Sequence, residues 1–502
     1  MGAVREEEAE EERIQNLRSK ATELLLREEF EAAAKLYAEI ISLCRTNSGG
    51  KLRKVLCLAH SNRAEALARS SRFAQALIDC DEALKIECSH SKTLIRKGKI
   101  LLNLNRYASA ADCFRRAKKA DSSDPSLDPL LERCRKLESL SKSGAVDVSG
   151  WVAAGFDAKR IPELGEYVGP VEVKLSDASN RGLFSTKAVD SGTVLVITKA
   201  VAVDRVIMPR DSGEGSQLVL WKNFVDGVEE SVHKCGELNA LLSTLSTGER
   251  ESIPQVPKID FFKPEAAADR LLDKPPLQRS ELVSILDTNS MLEEDGNSAK
   301  VLGRNSSSDH HYRSVGLWIL PSFINHSCRP NVRRTHIGDH VIVHASRDVA
   351  AGEELTFAYF DVLAPPSRRR EMAADWGFEC RCGRCRFEEE EVFEMMGDSA
   401  AVDRLEETMA RRGLNAKEKG MLRASFWEAY EGVFTSEERK KKWRGKIPAA
   451  ETVAESVAEA VGCDERMLRV LSSDSNGVER RLKIGRGIYG KIMKKSALNT
   501  LI

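Results

Sequence analysis

Residues 325–385 contain three short segments that decide the fold: NHSCRPN (325–331), GEELTFAYFD (352–361) and WGFECRCGRC (376–385). The first supplies an amide, an imidazole and a thiol. The second supplies a tyrosine after a strand-like run, and the third supplies three cysteines in a CxCxxC arrangement. Three such segments in this order predict a small-molecule cofactor site beside a structural metal. That combination is typical of an enzyme.

The length and composition indicate a soluble protein of several domains. A chain of 502 residues is too long for one ordinary hydrophobic core, so we expect roughly two to four domains. Hydrophobic residues make up 42% and charged residues 31%, as in globular proteins. Lys and Arg total 77, as do Asp and Glu, so we expect no direct binding to nucleic acid and no membrane association.

The N-terminus and the isolated cysteines indicate an intracellular protein, in the nucleus, the cytoplasm or both. The first thirteen residues are acidic and have no apolar core, unlike a secretory signal, and Glu6 departs from the myristoylation pattern. Four of the twelve cysteines fall in the segments above, and we expect the others to be reduced and buried. Those others are Cys44, Cys57, Cys80, Cys88, Cys113, Cys134, Cys235 and Cys463.

An internal repeat runs through residues 13–137. Small and aromatic residues recur with a period of 34 residues, and an earlier copy lies 43 residues upstream. The three sets are Ala21, Phe30, Ala33, Tyr37 and Ile40; Ala64, Phe73, Ala76, Cys80 and Ala83; and Gly98, Tyr107, Ala110, Phe114 and Ala117. Small residues at these offsets let antiparallel helices approach closely, and the period resembles that of the tetratricopeptide repeat. The resemblance implies a groove for a peptide or protein partner; an ordinary helical bundle is the alternative.

The composition changes after residue 150. Residues 171–203 are rich in Val, Thr and Gly, which predicts short strands separated by turns. VGLWIL (315–320) and HVIVHA (340–345) predict further strands. Residues 205–300 and the region after residue 388 show helical periodicity.

Together, NRGLF (180–184), NHSCRPN, GEELTFAY and CxCxxC resemble the SET-domain family of S-adenosylmethionine-dependent protein lysine methyltransferases. The resemblance covers residues 170–387 and is greatest to the branch with a split SET domain and a Cys-rich post-SET segment, as in the SET-and-MYND proteins. Those relatives carry an extra zinc module in the first half of the split domain. Residues 204–310 contain only Cys235, so that module is missing.

We therefore expect an α+β multidomain fold with a helical repeat array, a β-rich SET domain and a helical C-terminus. The expected segments are a tetratricopeptide-like array at 13–137, a linker at 138–169, the N-terminal SET part at 170–203, a helical insert at 204–310, the C-terminal SET part at 311–364, a zinc-bound post-SET segment at 365–390 and a helical region at 391–502.

The CxCxxC cysteines predict a structural zinc site. Cys380, Cys382 and Cys385 are three thiol ligands, and zinc prefers four in a tetrahedron. The family resemblance places the NHSC segment against the post-SET loop, which makes Cys328 the fourth ligand. The metal would hold the post-SET loop over the cofactor and contribute to folding. A disulfide or free thiols are the alternative.

S-adenosylmethionine is the cofactor that the resemblance implies. Asn325 and His326 would bind its adenine or its ammonium group, although His326 alone would equally suit a structural role or a metal. Asn180, Arg181 and Gly182 resemble the family's first glycine motif, whose backbone approaches the methionine end of the cofactor. Asn180 replaces the usual glycine, and Asn tolerates positive φ better than most residues. A solvent-exposed hairpin would show the same pattern.

Phe378 and Asn289 are further candidates for the cofactor site. Phe378 lies two residues before the first clustered cysteine, where it would stack on adenine or pack as a buried aromatic. Asn289 lies in ILDTNSM (285–291), which resembles a family segment whose Asn follows an apolar strand. Met291 replaces the usual aromatic there. Asn305 offers a second Asn-Ser pair, but in a polar loop, so Asn289 is preferred.

Tyr359 is the candidate catalytic residue, because it follows LTF at the position of the family's catalytic tyrosine. Methyl transfer from a sulfonium needs a neutral amine aligned with the S–CH3 bond. A lysine with a pKa of about 10.4 is neutral in only about one molecule in 10³ near pH 7. Desolvation favours the neutral amine, and a hydroxyl can orient it, so alignment and electrostatics would supply most of the acceleration. A lone buried tyrosine is otherwise structural.

The leading hypothesis is a methyltransferase for lysine side chains of a protein, histone or non-histone, whose repeats recruit partners. A catalytically weak or inactive scaffold is the alternative, and a zinc-dependent chromatin reader is a third. SRRRE (367–371) and ERKKKWRGK (438–446) could be nuclear-import or phosphate-contact patches, although solvated helix faces are the simpler interpretation.

Overall fold

The computed structural model of the chain describes residues 2–46, 52–146, 148, 161–177, 181–209, 214–248, 255–269, 277–294, 310–390, 402–443, 445–471 and 475–490. The chain forms two compact units. The first comprises Met1–Lys142, Asp226–Ser243 and Phe261–Leu282, and the second comprises Ser143–Val225, Thr244–Asp260 and Val283–Ile502. The predicted insert is therefore divided between the two units.

The first unit begins with a series of antiparallel helix pairs, which confirms the helical prediction. The helices are α1 (Gly2–Leu26), α2 (Phe30–Thr46), α3 (Leu52–Arg69), α4 (Phe73–Ile86), α5 (Ser91–Asn103), α6 (Tyr107–Ala120) and α7 (Leu127–Ser143). Helix α7 continues past residue 138, where the linker was expected to begin.

The turn inside each helix pair shows the periodicity directly. Glu28, Ser71 and Asn105 all adopt a left-handed backbone, with φ of 62°, 60° and 59°. They stand 43 and 34 residues apart, the same offsets as in the sequence repeat, and each lies two residues before the second helix of its pair. Since a residue other than glycine rarely adopts positive φ, the same backbone reversal is built into each repeat.

The last two repeats fill the same contact with side chains of different size. Ala64 and Cys80 are fully buried, and the residues 34 positions later are Gly98 and Phe114. A Cβ atom on Gly98 would lie 2.5 Å from the ring of Phe114. The larger aromatic on α6 therefore requires glycine on α5, despite the low helix propensity of glycine.

Part of the predicted SET insert packs on this array, within the first unit. Arg106 and Glu237 form an ion pair of 2.6 Å. The carboxylate of Glu265 accepts hydrogen bonds from the backbone N–H of Ala108 at 2.8 Å and from the Ser109 hydroxyl at 2.9 Å. A carboxylate at the first turn of α6 satisfies helix N–H groups that have no partner within the helix. The insert elements that run through or lie inside this unit are α8 (Glu214–Lys234), α9 (Gly236–Leu242), the 3-10 helices Ile259–Phe262 and Pro264–Asp269, and α10 (Arg279–Asn289).

The second unit contains the strands, which confirms the predictions at 171–203 and 340–345. Of the predicted strand 315–320, only residues 315–317 are in a strand, and Leu320 begins a 3-10 helix (Leu320–Phe323). The bounds of the strands are β1 (Tyr167–Val168), β2 (Val171–Lys174), β3 (Gly182–Ser185), β4 (Val194–Lys199), β5 (Ala202–Pro209), β6 (Met291–Glu294), β7 (His310–Leu317), β8 (Asn325–His326), β9 (Val332–Ile337), β10 (His340–Ala345) and β11 (Thr356–Phe357).

These strands form several small sheets. One has the order β1-β4-β10-β9 and is antiparallel throughout, with Val343 opposite Val196 and Arg334. β2 and β3 form a hairpin, and β7 lies between β5 and β6. β5 and β6 fall inside the predicted helical insert, because their partner β7 returns from the other side of it.

The C-terminal region is helical, as predicted, and packs on the first of these sheets. Side chains from β4, β9 and β10, including Ile197, Ile337 and Ile342, share one hydrophobic core with these helices. In the described part of the chain no helix has the length and apolarity needed to cross a membrane. The helices of the post-SET and C-terminal regions are α11 (Pro366–Asp375), α12 (Gly383–Glu390), α13 (Val402–Arg411), α14 (Ala416–Ser425), α15 (Trp427–Phe434), α16 (Glu437–Trp443), α17 (Ala450–Val461), α18 (Glu465–Arg469) and α19 (Ser475–Tyr489).

Neither basic run is simply a solvated helix face. Arg369, in the middle of SRRRE, is buried. Trp443, inside ERKKKWRGK, is also buried, and the ammonium groups of Lys442 and Lys446 lie 5.8 and 5.7 Å from its ring centroid. Both runs therefore include residues that hold the fold together.

Candidate functional site

The fold brings NHSCRPN and GEELTFAYFD side by side. β8 and β11 are parallel, with Asn325 opposite Thr356 and His326 opposite Phe357. Asn331 closes the arrangement, since its Oδ1 accepts from the Thr356 N–H at 2.8 Å and its Nδ2 donates to the Glu354 carbonyl at 2.8 Å. The juxtaposition of these two segments follows from these contacts.

The side chain of Asn325 is oriented by two acceptors. Its Nδ2 donates to the Arg181 carbonyl at 2.9 Å and to Glu354 Oε1 at 2.6 Å. An amide NH2 group has two protons to donate, so these bonds account for both. The remaining polar atom, Oδ1, is an acceptor and suits a cation such as an ammonium group.

Glu354 is a part of this site that the sequence analysis missed. Besides Asn325, its carboxylate accepts from Ser176 Oγ at 2.9 and 3.0 Å. A Cβ atom on Gly182 would lie 2.4 Å from Glu354 Oε1, so a larger residue here would displace the Glu354 carboxylate from its present position. The signal was present, since Glu354 is the second glutamate of GEELT.

The described residues of the NRGLF segment make different contacts. The guanidinium of Arg181 donates to the carbonyls of Thr244 and Gln255 at 2.8 and 2.9 Å, so the side chain contacts two residues that are distant in the chain. The carbonyl of Arg181 accepts a hydrogen bond from Asn325 Nδ2. Gly182 begins β3, whereas Asn180 lies outside the described residues.

His326 contacts both neighbouring segments. Its Nδ1 accepts from the backbone N–H of Tyr359 at 3.1 Å, and its Nε2 lies 3.3 Å from the Cys328 sulfur. Because Nδ1 is an acceptor, the proton of a neutral ring is on Nε2 and points at the sulfur. An N–H group directed at sulfur is suited to a thiolate.

Tyr359 lies in a group of aromatic rings, and its hydroxyl donates to the Ile324 carbonyl at 3.0 Å. Burial raises the pKa of this hydroxyl to about 12, with Arg334 opposing the shift and Glu354 adding to it. Tyr359 is therefore protonated at neutral pH and too weak an acid to act through its phenolate. Its oxygen retains lone pairs that can accept a hydrogen bond.

Trp376 is a second neighbour of Tyr359 that the sequence analysis missed. The two ring centroids are 4.9 Å apart. The side chain of Trp376 nevertheless remains 42% exposed, which is unusual for so large an aromatic. An exposed aromatic beside a candidate catalytic residue is suited to contact a substrate.

Phe378 contacts the same group of rings. Its centroid lies 5.4 Å from that of His326 and 6.0 Å from that of Tyr359. Phe378 also lines a cavity of about 150 Å³ whose wall includes Cys328, Cys380 and residues of α11 and α12. The fold thus brings His326, Tyr359 and Phe378 together, and Asn325 lies next to His326 in β8.

Asn289 is not part of this group of side chains. It ends α10 rather than following a strand, and its Nδ2 donates to the carbonyls of Ser246 and Ile285, both at 2.7 Å. Both amide protons are therefore used within the fold. Its backbone carbonyl accepts from Ser322 Oγ at 3.3 Å. The other Asn-Ser pair, at Asn305, lies outside the described residues.

The four clustered cysteines meet as the sequence predicts. The sulfurs of Cys328, Cys380, Cys382 and Cys385 lie within 4.8 Å of one another. A tetrahedron with Zn–S bonds of about 2.3 Å has edges of about 3.8 Å, and the Cys328 and Cys380 sulfurs are 3.8 Å apart. All of the cysteines are free thiols. The donor set therefore fits zinc, and the disulfide alternative is wrong for this structure.

Buried charges surround the cluster. Arg369 pairs with Glu388 and directs Nη1 at Cys385 Sγ over 3.5 Å. Arg384, which is fully buried, donates to the Cys328 carbonyl at 3.1 Å and to Glu388 at 2.9 Å. Ser425 of α14 donates to Glu388 at 2.6 Å. Two guanidinium groups face one carboxylate here, and a zinc ion with four thiolates would supply the missing negative charge.

The comparison with protein families decides the identity of this region. Residues 180–360 match the SET domain family model. This region is a SET domain. The match covers all of the candidate residues from Asn180 to Tyr359, and the first cysteine of CxCxxC lies 20 residues after its end.

Relatives of the SET domain include methyltransferases. A Gibberella zeae protein named methyltransferase is 24% identical over 357 residues, which are 65% of this chain and 46% of that protein. The human protein named histone-lysine N-methyltransferase SMYD3 is 36% identical over 98 residues, which are 19% of this chain and 23% of that protein. The chain thus spans less than half the length of the curated relatives that it matches.

Among solved structures, the Arabidopsis OM64 TPR domain is 26% identical, with a TM-score of 0.23, and covers 25% of this chain and 96% of its own. Yeast Tom70 is 12% identical, with a TM-score of 0.25, and covers 96% of this chain and 79% of its own.

Proposed function

We propose that the chain is an S-adenosylmethionine-dependent methyltransferase that acts on lysine side chains of a protein, histone or non-histone. S-adenosylmethionine supplies a methyl group bound to a sulfonium. The observation that carries the proposal is the contact of His326 with Tyr359, next to Asn325, where parallel β8 and β11 meet within a SET domain. These residues would bind the cofactor, orient the substrate amine and exclude water, and the reaction needs no strong base.

Asn325 and His326 would hold the cofactor, together with the backbone around Gly182 and the ring of Phe378. The oriented Oδ1 of Asn325 supports this role, since it offers an acceptor to the cofactor's ammonium group. Glu354 would keep the Asn325 amide in that orientation through its 2.6 Å hydrogen bond. Asn180 and Arg181 would contribute backbone groups, while the side-chain contacts of Asn289 favour a structural role over the cofactor contact proposed from its sequence.

Tyr359 would orient the substrate amine. Its proton is donated to the Ile324 carbonyl, so its lone pairs are available to accept from the amine N–H. Trp376 would form part of the entrance for the lysine side chain, because an indole face attracts an ammonium group. Desolvation next to these rings favours the neutral amine that methyl transfer requires.

Zinc would hold the post-SET segment through Cys328, Cys380, Cys382 and Cys385. The metal adds folding free energy and no step of the reaction. Arg369 and Arg384 support this assignment, since their positive charge is only half balanced by Glu388.

The repeat array would recruit a protein or peptide partner, which we place in the groove typical of such arrays. We propose an intracellular location, in the nucleus, the cytoplasm or both, because the cysteines of the described residues form no disulfide.

The test is a radiolabelled methyl-transfer assay on cell extract and on histones, with Tyr359→Phe as the control. We expect a labelled protein band with the wild-type chain, and a loss of at least about 10²-fold in Tyr359→Phe with unchanged cofactor binding by calorimetry. No cofactor binding and no transfer would favour the inactive scaffold instead. Transfer that survives in Tyr359→Phe would remove the role assigned to that residue.

A further inference from the structure

The loop that follows Tyr359 is held by a C-terminal helix. Asp361 lies two residues after Tyr359, and its carboxylate accepts two hydrogen bonds from the guanidinium of Arg466. The distances are 2.6 Å from Nη2 to Oδ1 and 3.1 Å from Nη1 to Oδ2. This paired geometry fixes direction as well as separation. The two residues are 105 positions apart in the chain.

Arg466 is itself held in place. Asp464 accepts from its backbone N–H at 2.9 Å and from its Nε at 3.0 Å, and so caps α18. The next residues, Met467 and Leu468, are buried in the hydrophobic core. Burial disfavours the charged guanidinium, but hydrogen bonds to Asp361 and Asp464 outweigh it and raise the pKa of Arg466. Arg466 is therefore always charged, and the buried residues of α18 hold its backbone in place.

The loop has further supports. Asp361 Oδ1 accepts from the Leu363 N–H at 2.9 Å, and Arg384 donates to the Val362 carbonyl at 2.6 Å. At its start, the Tyr359 N–H donates to His326. Arg466 supports the middle of this loop and comes from a region that carries no recognisable motif.

We infer that Arg466 is a positioning residue for methyl transfer, because its pair with Asp361 fixes the loop that carries Tyr359. The inference rests on the proposed function. The side chains of Arg466 and Asp361 are 30% and 41% exposed, and ion pairs so exposed contribute little to stability. Loss of the pair would therefore move the Tyr359 hydroxyl more than it would weaken folding. A displacement of about 1 Å lowers turnover on the order of 100-fold.

The test uses the full chain with Arg466→Gln, Asp361→Asn, the double variant and Arg466→Lys. We expect kcat to fall on the order of 10- to 100-fold in either neutral variant, with KM, the Kd for S-adenosylmethionine and Tm close to wild type. The double variant should be no worse than either single one, because both remove the same contact. Arg466→Lys should recover part of the loss. Arg480→Gln is the matched control, since Arg480 pairs with Glu455 at similar exposures of 42% and 32% and should leave kcat unchanged.

Three results would overturn the inference: an unchanged kcat in Arg466→Gln, additive losses in the double variant, or parallel losses of kcat, cofactor affinity and Tm. Hydrogen exchange of the amides at 359–363 separates this inference from the proposed function. If the wild-type chain transfers no methyl group, the proposed function fails. Faster exchange in Arg466→Gln that is confined to 359–363 would then still support the positioning role, and unchanged exchange would overturn it.

Discussion

The backbone N–H of Tyr359 donates to Nδ1 of His326 over 3.1 Å. This bond assigns the acceptor role to Nδ1, so the Nε2–H of the neutral ring faces the Cys328 sulfur, 3.3 Å away. One imidazole thus links the candidate catalytic residue with the candidate metal site. Groups that hydrogen-bond to a metal ligand in this way orient the ligand and change its affinity for the metal.

Two replacements of His326 should separate its two contacts. Asn can place an amide oxygen near the position of Nδ1, and Gln can place an amide N–H near that of Nε2. We expect His326→Asn to lose on the order of 10- to 100-fold in zinc affinity and to retain more methyl transfer. His326→Gln should retain zinc and lose more transfer. Competition with a chromophoric chelator and the transfer assay measure the two effects; identical behaviour of the two variants would contradict the division.

Zinc should be present at about one equivalent per chain, because four sulfurs lie within 4.8 Å of one another. Elemental analysis measures the content, and limited proteolysis after chelation should cut first near residues 376–385. Cys382→Ser should lose the metal, whereas Cys88→Ser, at an exposed thiol, should keep it. A normally folded protein with less than half an equivalent of zinc would rule the site out.

Trp376→Ala should raise KM for the protein substrate about fivefold, since an exposed indole face contributes roughly 1 kcal/mol to binding a cation. Trp376→Phe should show a smaller effect because a weaker ring remains. The affinity for S-adenosylmethionine, measured by calorimetry, serves as the internal control and should not change. A loss confined to cofactor affinity would instead assign Trp376 to the cofactor site.

Turnover should rise with pH. At low substrate concentration we expect kcat/KM to increase about tenfold per unit from pH 7 to 9, as the neutral fraction of a lysine amine increases. Tyr359 does not oppose this rise, because its pKa is raised to about 12 and the hydroxyl stays protonated. A pH–rate profile tests the slope, with Tyr359→Phe shifting it downward in parallel. A fall between pH 8 and 9 would show that a protein group with a lower pKa must stay protonated.

Acid should weaken the second unit through buried histidines. Burial lowers the pKa of His336 to about 3, with Arg334 and Arg205 adding to the shift, and burial lowers that of His344 to about 4. In the unfolded chain each takes up a proton near pH 6.5. These groups therefore cost no stability above that pH, and the free energy of unfolding falls as the pH decreases from about 6.5 towards 4.

His336→Phe should remove part of this acid sensitivity. Within the described part of the chain, neither nitrogen of His336 has a hydrogen-bond partner, and the ring packs 4.8 Å from that of Trp318. We expect equal or higher stability at pH 7, and a smaller loss at pH 5 by roughly 2 kcal/mol. Denaturant unfolding at both pH values measures the difference, with His233→Gln, at an exposed histidine, as the control. Equal acid sensitivity of wild type and His336→Phe would contradict the assignment.

The sequence predicts those parts of the site whose chemistry is local. The CxCxxC spacing predicted a cluster of three thiols, and the strand-like runs predicted the strands. Both features depend on residues that are neighbours in the chain. The contacts of Asn289 could not be predicted in this way. Its side-chain amide donates to the Ser246 carbonyl, and the residue ends a helix. A resemblance over seven residues carries no information about that distant carbonyl.

The missed residues act over long separations. Glu354 reaches Ser176 across 178 positions, and Glu265 reaches Ser109 across 156. Trp376 is informative only because its exposure and its distance from Tyr359 are known together. Such contacts depend on the packing of whole elements, and even where one residue lies in a motif, as Glu354 does in GEELT, the motif does not indicate its distant partner.

The shared core of the second unit has a consequence for synthesis on the ribosome. That core joins Val146 and Val148 to Ile484 and Ile488, so it cannot assemble until nearly all of the chain has emerged. The clusters of the repeat array use residues between Ile14 and Leu140 and can form much earlier. A premature stop codon after the array would therefore release a product that still folds its helical repeats but has lost the SET domain.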